Sequence, residues 1–211
     1  GVHVDRFTPR KRDDGLAKEL GIDDQVVIGY VGSIVGYEGL NMLVDAAENL
    51  QQRDILNFTM LIIGDGAALE SLEDQVSDSP ASRHFIFTGR VPHEDVERYY
   101  SLIDIAPFPR LSQPVTEMVS PLKPFEAMAM EKLVIASNVA ALEEIVKHEE
   151  TGLLFEKDNV HSLTNVLELG ITDSKMRLKL GKQARKWVKE ERDWPILAKR
   201  VTAIYESLTG N

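Results

Sequence analysis

Short apolar runs alternate along this chain with longer stretches of helical period. Six runs read as strands: Val26–Val31, Phe58–Ile63, Phe85–Thr88, Asp104–Ala106, Leu133–Ala136 and Gly152–Phe155. Most are almost continuously apolar, as strands covered on both faces of a parallel sheet are. Between them Leu40, Leu43, Val44, Ala47 and Leu50 recur at steps of three and four, as do Leu69, Leu72 and Val76, which predicts amphipathic crossover helices. Further helices fit Glu94–Ser101, Pro121–Met130 and Leu142–Val146. Strands alternating with helices predict an α/β fold built on a parallel sheet of about six strands. Three helical segments follow the last strand, near Val160–Leu169, Ser174–Glu190 and Pro195–Leu208. Trp194-Pro195 marks the break before the last of these, because proline disfavours helix at the residue before it and suits a new helix's first turn. One domain is expected over residues 1–211, with a linker-like start over 1–20, a βα core over 21–157 and a helical extension over 158–211.

The charge balance narrows the function classes. With 24 Lys and Arg against 34 Asp and Glu the net charge is −10, which excludes nucleic-acid binding by general basic charge. Cysteine is absent, removing disulfides, thiolate zinc sites and a cysteine nucleophile. The five histidines, His3, His84, His93, His148 and His161, are dispersed without metal-ligand spacing, so no metal site is expected. The longest apolar stretch, Val26–Tyr37, is broken by Gly29, Gly32, Ser33 and Gly36 and falls short of the roughly 20 residues that span a bilayer. The opening GVHVDRFTPRKRDD has neither an apolar signal core nor an initiator Met and reads as the cut edge of something longer. The missing signal and cysteines suggest a cytoplasmic protein. Arg10-Lys11-Arg12, followed at once by Asp13-Asp14, reads as a solvated surface segment.

In open α/β sheets ligands sit outside the carboxyl ends of the strands, so the strand-to-helix loops hold the candidate chemistry. The loop Gly32–Gly39 is rich in glycine, which lets backbone approach an anion at a helix N-terminus. It lacks the dinucleotide fingerprint and the Gly-Lys-Ser/Thr ending of a P-loop, and a tight structural turn is the alternative. Gly64-Asp65-Gly66 offers a capped turn, for which a plain βα connection is the alternative. The third loop, from Pro107 to Glu126, is long, stiffened by prolines and carries cations and carboxylates. A helix beginning near Pro121 would hold Pro121 and Pro124 in its first turn and turn the free amides of Leu122 and Lys123 outward. An anion there would meet those amides, the positive end of the helix and the Lys123 ammonium, with Arg110 closing from the loop. That describes a diphosphate site. Glu126 follows Lys123 by three residues on the same face, within reach of a group bonded to the phosphate, for which a ribose diol is the natural candidate. A solvated surface pair is the alternative for Lys123 and Glu126.

SPLKPFEAMAM with the preceding Glu117, GVHVDRFTP at the start, Gly32 to Gly39, IIGDGAALESL, FTGRVPHEDVERYYSLIDIAPFP and EIVKHEETGLLFEKDN together resemble one known family. They are similar, over nearly the whole chain, to the C-terminal donor-binding domain of retaining family 4 glycosyltransferases of the GT-B fold. The resemblance implies a Rossmann-like half of a two-domain enzyme, with the acceptor site in an N-terminal half that this sequence lacks. It implies transfer of a sugar from a UDP- or GDP-linked donor to a sugar or lipid-linked acceptor, with retention and without metal or further cofactor. This half alone would be inactive, and the whole protein has room for peripheral association with the inner membrane.

Carried over by residue, the resemblance puts Glu126 on the ribose hydroxyls and Val119, Ser120, Leu122 and Lys123 at the diphosphate and donor sugar. It puts Arg90 and Val91 against the base, and Gly32 and Ser33 near the diphosphate. Two departures stand out. Glu117 lies one place before the position, Met118, that the family's first glutamate would take, with eight residues between it and Glu126. Ser33 and Glu38 occupy the places where many members carry an arginine and a lysine, and Glu38 is expected to repel phosphate. Arg110 and Lys123 are therefore expected to neutralise the diphosphate, and Glu117, Lys123 and Arg110 form the candidate catalytic set. A nucleotide-sugar epimerase of the same fold and a non-catalytic α/β nucleotide-binding module are the alternatives. Cations retained beside a suitably spaced carboxylate speak against the module, and dependence on an acceptor separates transferase from epimerase.

Overall fold

The computed structural model describes residues 1–22 and 24–209, so the last two residues of the expected extension lie outside it. The strands are β1 (Val26–Val31), β2 (Phe58–Ile63), β3 (Phe85–Gly89), β4 (Ile105–Phe108), β5 (Leu133–Ser137) and β6 (Leu153–Phe155). The helices are α1 (Asp14–Glu19), α2 (Asn41–Gln52), α3 (Leu69–Asp78), α4 (Val96–Leu102), α5 (Pro114–Met118), α6 (Lys123–Ala129), α7 (Ala140–Glu143), α8 (Val160–Thr172), α9 (Ser174–Glu191) and α10 (Trp194–Thr209).

All strand pairings are parallel, in the order β3-β2-β1-β4-β5-β6. This is the α/β, Rossmann-like architecture expected from the alternation of elements. The winding direction reverses between β1 and β4, and in such sheets the ligand crevice opens at that switch point, beyond the carboxyl ends. β1 and β2 stay in register from Val26↔Phe58 to Val31↔Ile63, whereas β1 meets β4 at Ile28↔Ile105 alone. Past Ile105 the two central strands part.

That parting explains a difference from expectation. The strand was expected to stop at Ala106, before a proline, yet β4 continues through Pro107, paired to Ile135 of β5. Proline removes a ladder hydrogen bond, and here β4 has already left β1 on one side, so the missing donor costs little. Gly29 serves the same junction: a β-carbon there would lie 2.3 Å from the Ile103 side chain.

Other boundaries differ as well, among them the expected helices Glu94–Ser101 and Leu142–Val146, which are α4 at Val96–Leu102 and the short α7 at Ala140–Glu143. The expected helix Pro121–Met130 is the shorter α6, with Pro124 in its first turn and Pro121 outside it. The long third loop contains α5, which starts at Pro114 and is fixed where the Gln113 amide donates to Thr116 Oγ1 at 3.0 Å. The linker-like start contains α1, capped by the Asp13 carboxylate accepting from the Leu16 amide at 2.9 Å.

The extension is part of the core layer. α8 and α9 bury Leu163, Leu167, Leu180, Ala184 and Val188, and Gly170 lets α8 lie directly on Ile105, Leu133 and Ile135 of β4 and β5. The opening segment buries Val2, Val4 and Phe7 and closes on the α9–α10 junction, where Val2 exchanges hydrogen bonds with Arg192 and Trp194. Among the described residues no helix is long and apolar enough to cross a membrane.

Candidate functional site

The loops after β1, β2 and β3 stack on one another at the carboxyl end of the sheet. The Gly32 amide donates to the Ile63 carbonyl at 2.9 Å, the Ile34 amide to Asp65 at 2.7 Å and the Gly64 amide to Gly89 at 2.9 Å. Such stacking needs bare backbone: Gly64 has φ +137°, and a β-carbon there would sit 1.8 Å from the Gly32 carbonyl oxygen. These bonds turn the β1 loop toward the helix that follows β4.

There Lys123 opens α6 and lays its side chain over Gly32. A β-carbon on Gly32 would fall 2.4 Å from Lys123 Cε and 3.0 Å from its Nζ. The ammonium therefore crosses the switch point and rests against the β1 loop. Among the described residues neither the Leu122 nor the Lys123 amide has an intrachain acceptor. Both amides stay available although α6 starts two residues later than expected.

Two cavities meet at Lys123. One of about 390 Å³ is lined by Tyr30, Tyr37, Glu38, Arg110, Leu122, Lys123 and Glu126, among others. The other, about 170 Å³, is lined by Gly32, Ser33, Gly64, Asp65, Arg90, Val91 and Lys123, among others. Ser33 and Lys123 belong to both. The larger one falls within the size range of small-molecule sites.

Glu38 and Arg110 face each other in the wall of the larger cavity, both buried. The Arg110 guanidinium donates to Glu38 Oε1 through Nη2 at 2.8 Å, to both carboxylate oxygens through Nε at 3.2 and 3.3 Å, and to the Val119 carbonyl through Nη1 at 2.9 Å. This changes the expectation for both residues. Glu38 is not a bare negative charge, because Arg110 neutralises it, and Arg110 is not a bare cation held for phosphate. Lys123, with Glu126 three residues on, is the cation that faces both cavities.

Glu126 is half-buried, and that burial raises its pKa against the opposing pull of Lys123. The Tyr100 hydroxyl lies 3.5 Å from Glu126 Oε2, and burial pushes that phenol well above its ordinary range. Arg6 adds positive potential on the same side. The carboxylate is thus desolvated, cation-flanked and open to the larger cavity.

Glu117 is placed elsewhere. Its carboxylate accepts from Lys157 Nζ at 2.6 Å, Ser112 Oγ at 2.7 Å and the Ala140 amide at 2.8 Å. The Ala140 amide, then Lys157 and Ser112, hold its pKa down to about 2. It lines neither cavity; it fastens α5 to the start of α7 and the segment after β6. Met118 and Val119 point to solvent, Ser120 is exposed beside them, and Leu122, though partly exposed, lines the larger cavity. Of the residues expected from sequence, Gly32, Ser33, Arg90, Val91, Arg110, Leu122, Lys123 and Glu126 converge; Val119 reaches the site through its carbonyl.

Sequence reasoning missed Tyr30 and Tyr100. Tyr30 donates from its hydroxyl to the Ser33 carbonyl at 3.0 Å, fixing the β1 loop from below. A single tyrosine inside the aliphatic run Val26–Val31 was its signal. Tyr100 had no comparable mark. Among the described residues no group of three or more His, Asp or Glu is placed to hold a metal ion.

Residues 13–187 match the family described as glycosyl transferases group 1. The chain belongs to that family. It is 26% identical over 204 residues to a GDP-mannose-dependent alpha-(1-6)-phosphatidylinositol monomannoside mannosyltransferase of Mycobacterium tuberculosis, covering 95% of this chain and 53% of the relative. The chain therefore spans about half the length of the curated relatives it matches. Among solved structures it is similar to the C-terminal domain of a glycosyl transferase group 1 family protein from Francisella tularensis. That match has a TM-score of 0.77 and 24% identity, covering 92% of this chain and 100% of that one. It also resembles Anabaena HepE in complex with UDP, with a TM-score of 0.87 and 18% identity over 98% of this chain and 56% of that one. At these identities the likeness is one of fold, that of the C-terminal domains of GT-B glycosyltransferases.

Proposed function

We propose that this chain is the donor-binding half of a glycosyltransferase and takes a nucleoside diphosphate sugar, UDP- or GDP-linked, across its two cavities. The base rests against Arg90 and Val91 in the smaller cavity and the ribose diol donates to Glu126. The diphosphate lies at Lys123, Gly32, Ser33 and the amides of Leu122 and Lys123, with the sugar in the larger cavity toward Arg110. The observation that carries this reading is the Lys123 ammonium held over Gly32, where both cavities meet at the sheet's switch point.

The chemistry follows from charge. As the sugar leaves, negative charge grows on the diphosphate while the sugar becomes oxocarbenium-like, so donors fixed on the phosphate lower the barrier. Lys123 and the two amides supply such donors without a metal or a further cofactor, and the Arg110–Glu38 pair forms the cavity wall beside them. Retention belongs to this reading, as does a sugar or lipid-linked acceptor bound by a partner domain. Without that domain the chain binds donor but does not transfer sugar.

Calorimetric titration with UDP, GDP, ADP and the matching nucleosides tests the proposal. One diphosphate should bind saturably, and Lys123→Ala should weaken it at least tenfold while changing nucleoside binding less than twofold. Equal effects on diphosphate and nucleoside overturn the assignment of Lys123, and no diphosphate binding by folded protein overturns the donor site.

A further inference from the structure

Helix α9 carries Lys175, Lys179, Lys182, Lys186 and Lys189, at alternating steps of four and three. At about 100° and 1.5 Å per residue these five fall within an arc of about 80° and form a stripe about 21 Å long. All five are exposed, while the opposite face buries Leu180, Gly181, Ala184 and Val188 against the domain. The helix's two arginines are used differently: Arg177 donates to the Gly170 carbonyl, and Arg185 to the carbonyls of Phe7 and Ala129. The arginines tie the fold together and the lysines face outward.

Among the described residues none of the five lysines has a carboxylate partner. Like charges three and four residues apart on a helix repel, so the stripe contains four successive unfavourable neighbour pairs. A face kept only for solubility would relieve this by interleaving glutamates. Here seven cations stand against Glu190 and Glu191 alone, a net of +5 on one helix of a chain whose net charge is −10. The arrangement costs the isolated domain stability and suits an anionic surface.

The neighbouring side chains choose between anionic partners. Leu178, 63% exposed, flanks the lysines. Lys182, Lys186 and Lys189 share a groove with Ile196 at the start of α10, where Arg185 adds a fourth cation against Glu131 and Glu190. Lysines flanked by aliphatic groups fit a lipid headgroup layer, into which the aliphatic groups can insert. Single-stranded nucleic acid would call for aromatic rings between the cations, and the stripe has none.

We propose that the α9 lysine stripe docks this chain on an anionic lipid surface. The assignment stands apart from the donor site, and it is tested by cosedimentation with phosphatidylcholine vesicles with and without phosphatidylserine, at low and high salt. Binding should require phosphatidylserine and disappear at high salt. Each lysine near such a surface is worth roughly fivefold in partitioning, so Lys179→Gln/Lys182→Gln/Lys186→Gln should weaken binding roughly 100-fold. The exposed Lys11, Lys18 and Lys147, changed together to Gln, alter the net charge equally and should weaken it less than fivefold. Unchanged thermal unfolding of both variants shows that they remain folded. Equal binding to neutral vesicles, equal losses in the two variants, or no binding to anionic vesicles overturns the proposal. So does preferential capture by a single-stranded oligonucleotide, or a salt-sensitive dimer lost in the stripe variant without vesicle binding.

Discussion

Replacing Glu38 by Gln tests the wall of the larger cavity. The substitution keeps the shape and leaves the Arg110 guanidinium without its counter-charge among buried neighbours, where Glu38 and Arg110 are 8% and 7% exposed. Removing one partner of a buried pair costs about 3–5 kcal/mol. The cavity lets water reach one side of this pair, and Arg110 keeps its bond to the Val119 carbonyl, so about 3 kcal/mol is expected. For a domain of this size each kcal/mol lowers the melting temperature by about 2–4 °C, giving a fall of about 6–12 °C. Glu38→Leu with Arg110→Met should recover most of the loss, because it removes both charges together. Differential scanning calorimetry of Glu38→Leu, Arg110→Met and the double variant closes the cycle. The same Glu38→Gln protein should bind a nucleoside diphosphate severalfold more tightly, since Arg110 then offers its charge to the cavity. A melting temperature within about 2 °C of the parent, or strict additivity of the two single losses, would refute the pairing as the source of rigidity.

Two pH dependences follow from carboxylates with opposite shifts. Glu117 is held at about 2, below its ordinary value of 4.5, so its contribution to stability is present above pH 4.5 and is lost as pH falls toward 2. Glu117→Gln should flatten the urea midpoint across that window, and an unchanged slope would show that the carboxylate is not held by Ala140, Lys157 and Ser112. Glu126 is shifted upward, and a ribose diol needs its ionised form as acceptor. Nucleoside affinity measured by calorimetry should fall as pH drops through that raised value, and Glu126→Gln should bind weakly at every pH; a variant that keeps the parent's pH profile counts against the assignment.

The sheet was legible because buried parallel strands are continuous apolar runs, and β1 and β2 follow those runs residue for residue. β4 was cut short because Pro107 reads as a stop; only the tertiary parting of β4 from β1 makes it harmless. α1 and α5 are too short for periodicity and are set by caps, Asp13 and the Gln113–Thr116 turn, which carry weak local signals. At the site, Lys123 and Glu126 were readable from their spacing, and Gly32 from its loop. The pairing of Arg110 with Glu38, 72 residues away in sequence, was not, and a charge treated as repulsive is neutralised by the cation chosen to offset it. Glu117 misled for the opposite reason: resemblance drew it toward the sugar, and three local donors draw it to the α5–α7 junction.

The approach of Lys123 to Gly32 makes the two positions one heritable unit. An uncharged side chain at residue 32 makes the end of Lys123 shift without altering the protein's charge, so Gly32→Ala displaces a cation that remains covalently present. Drift at either position is conditional on the other.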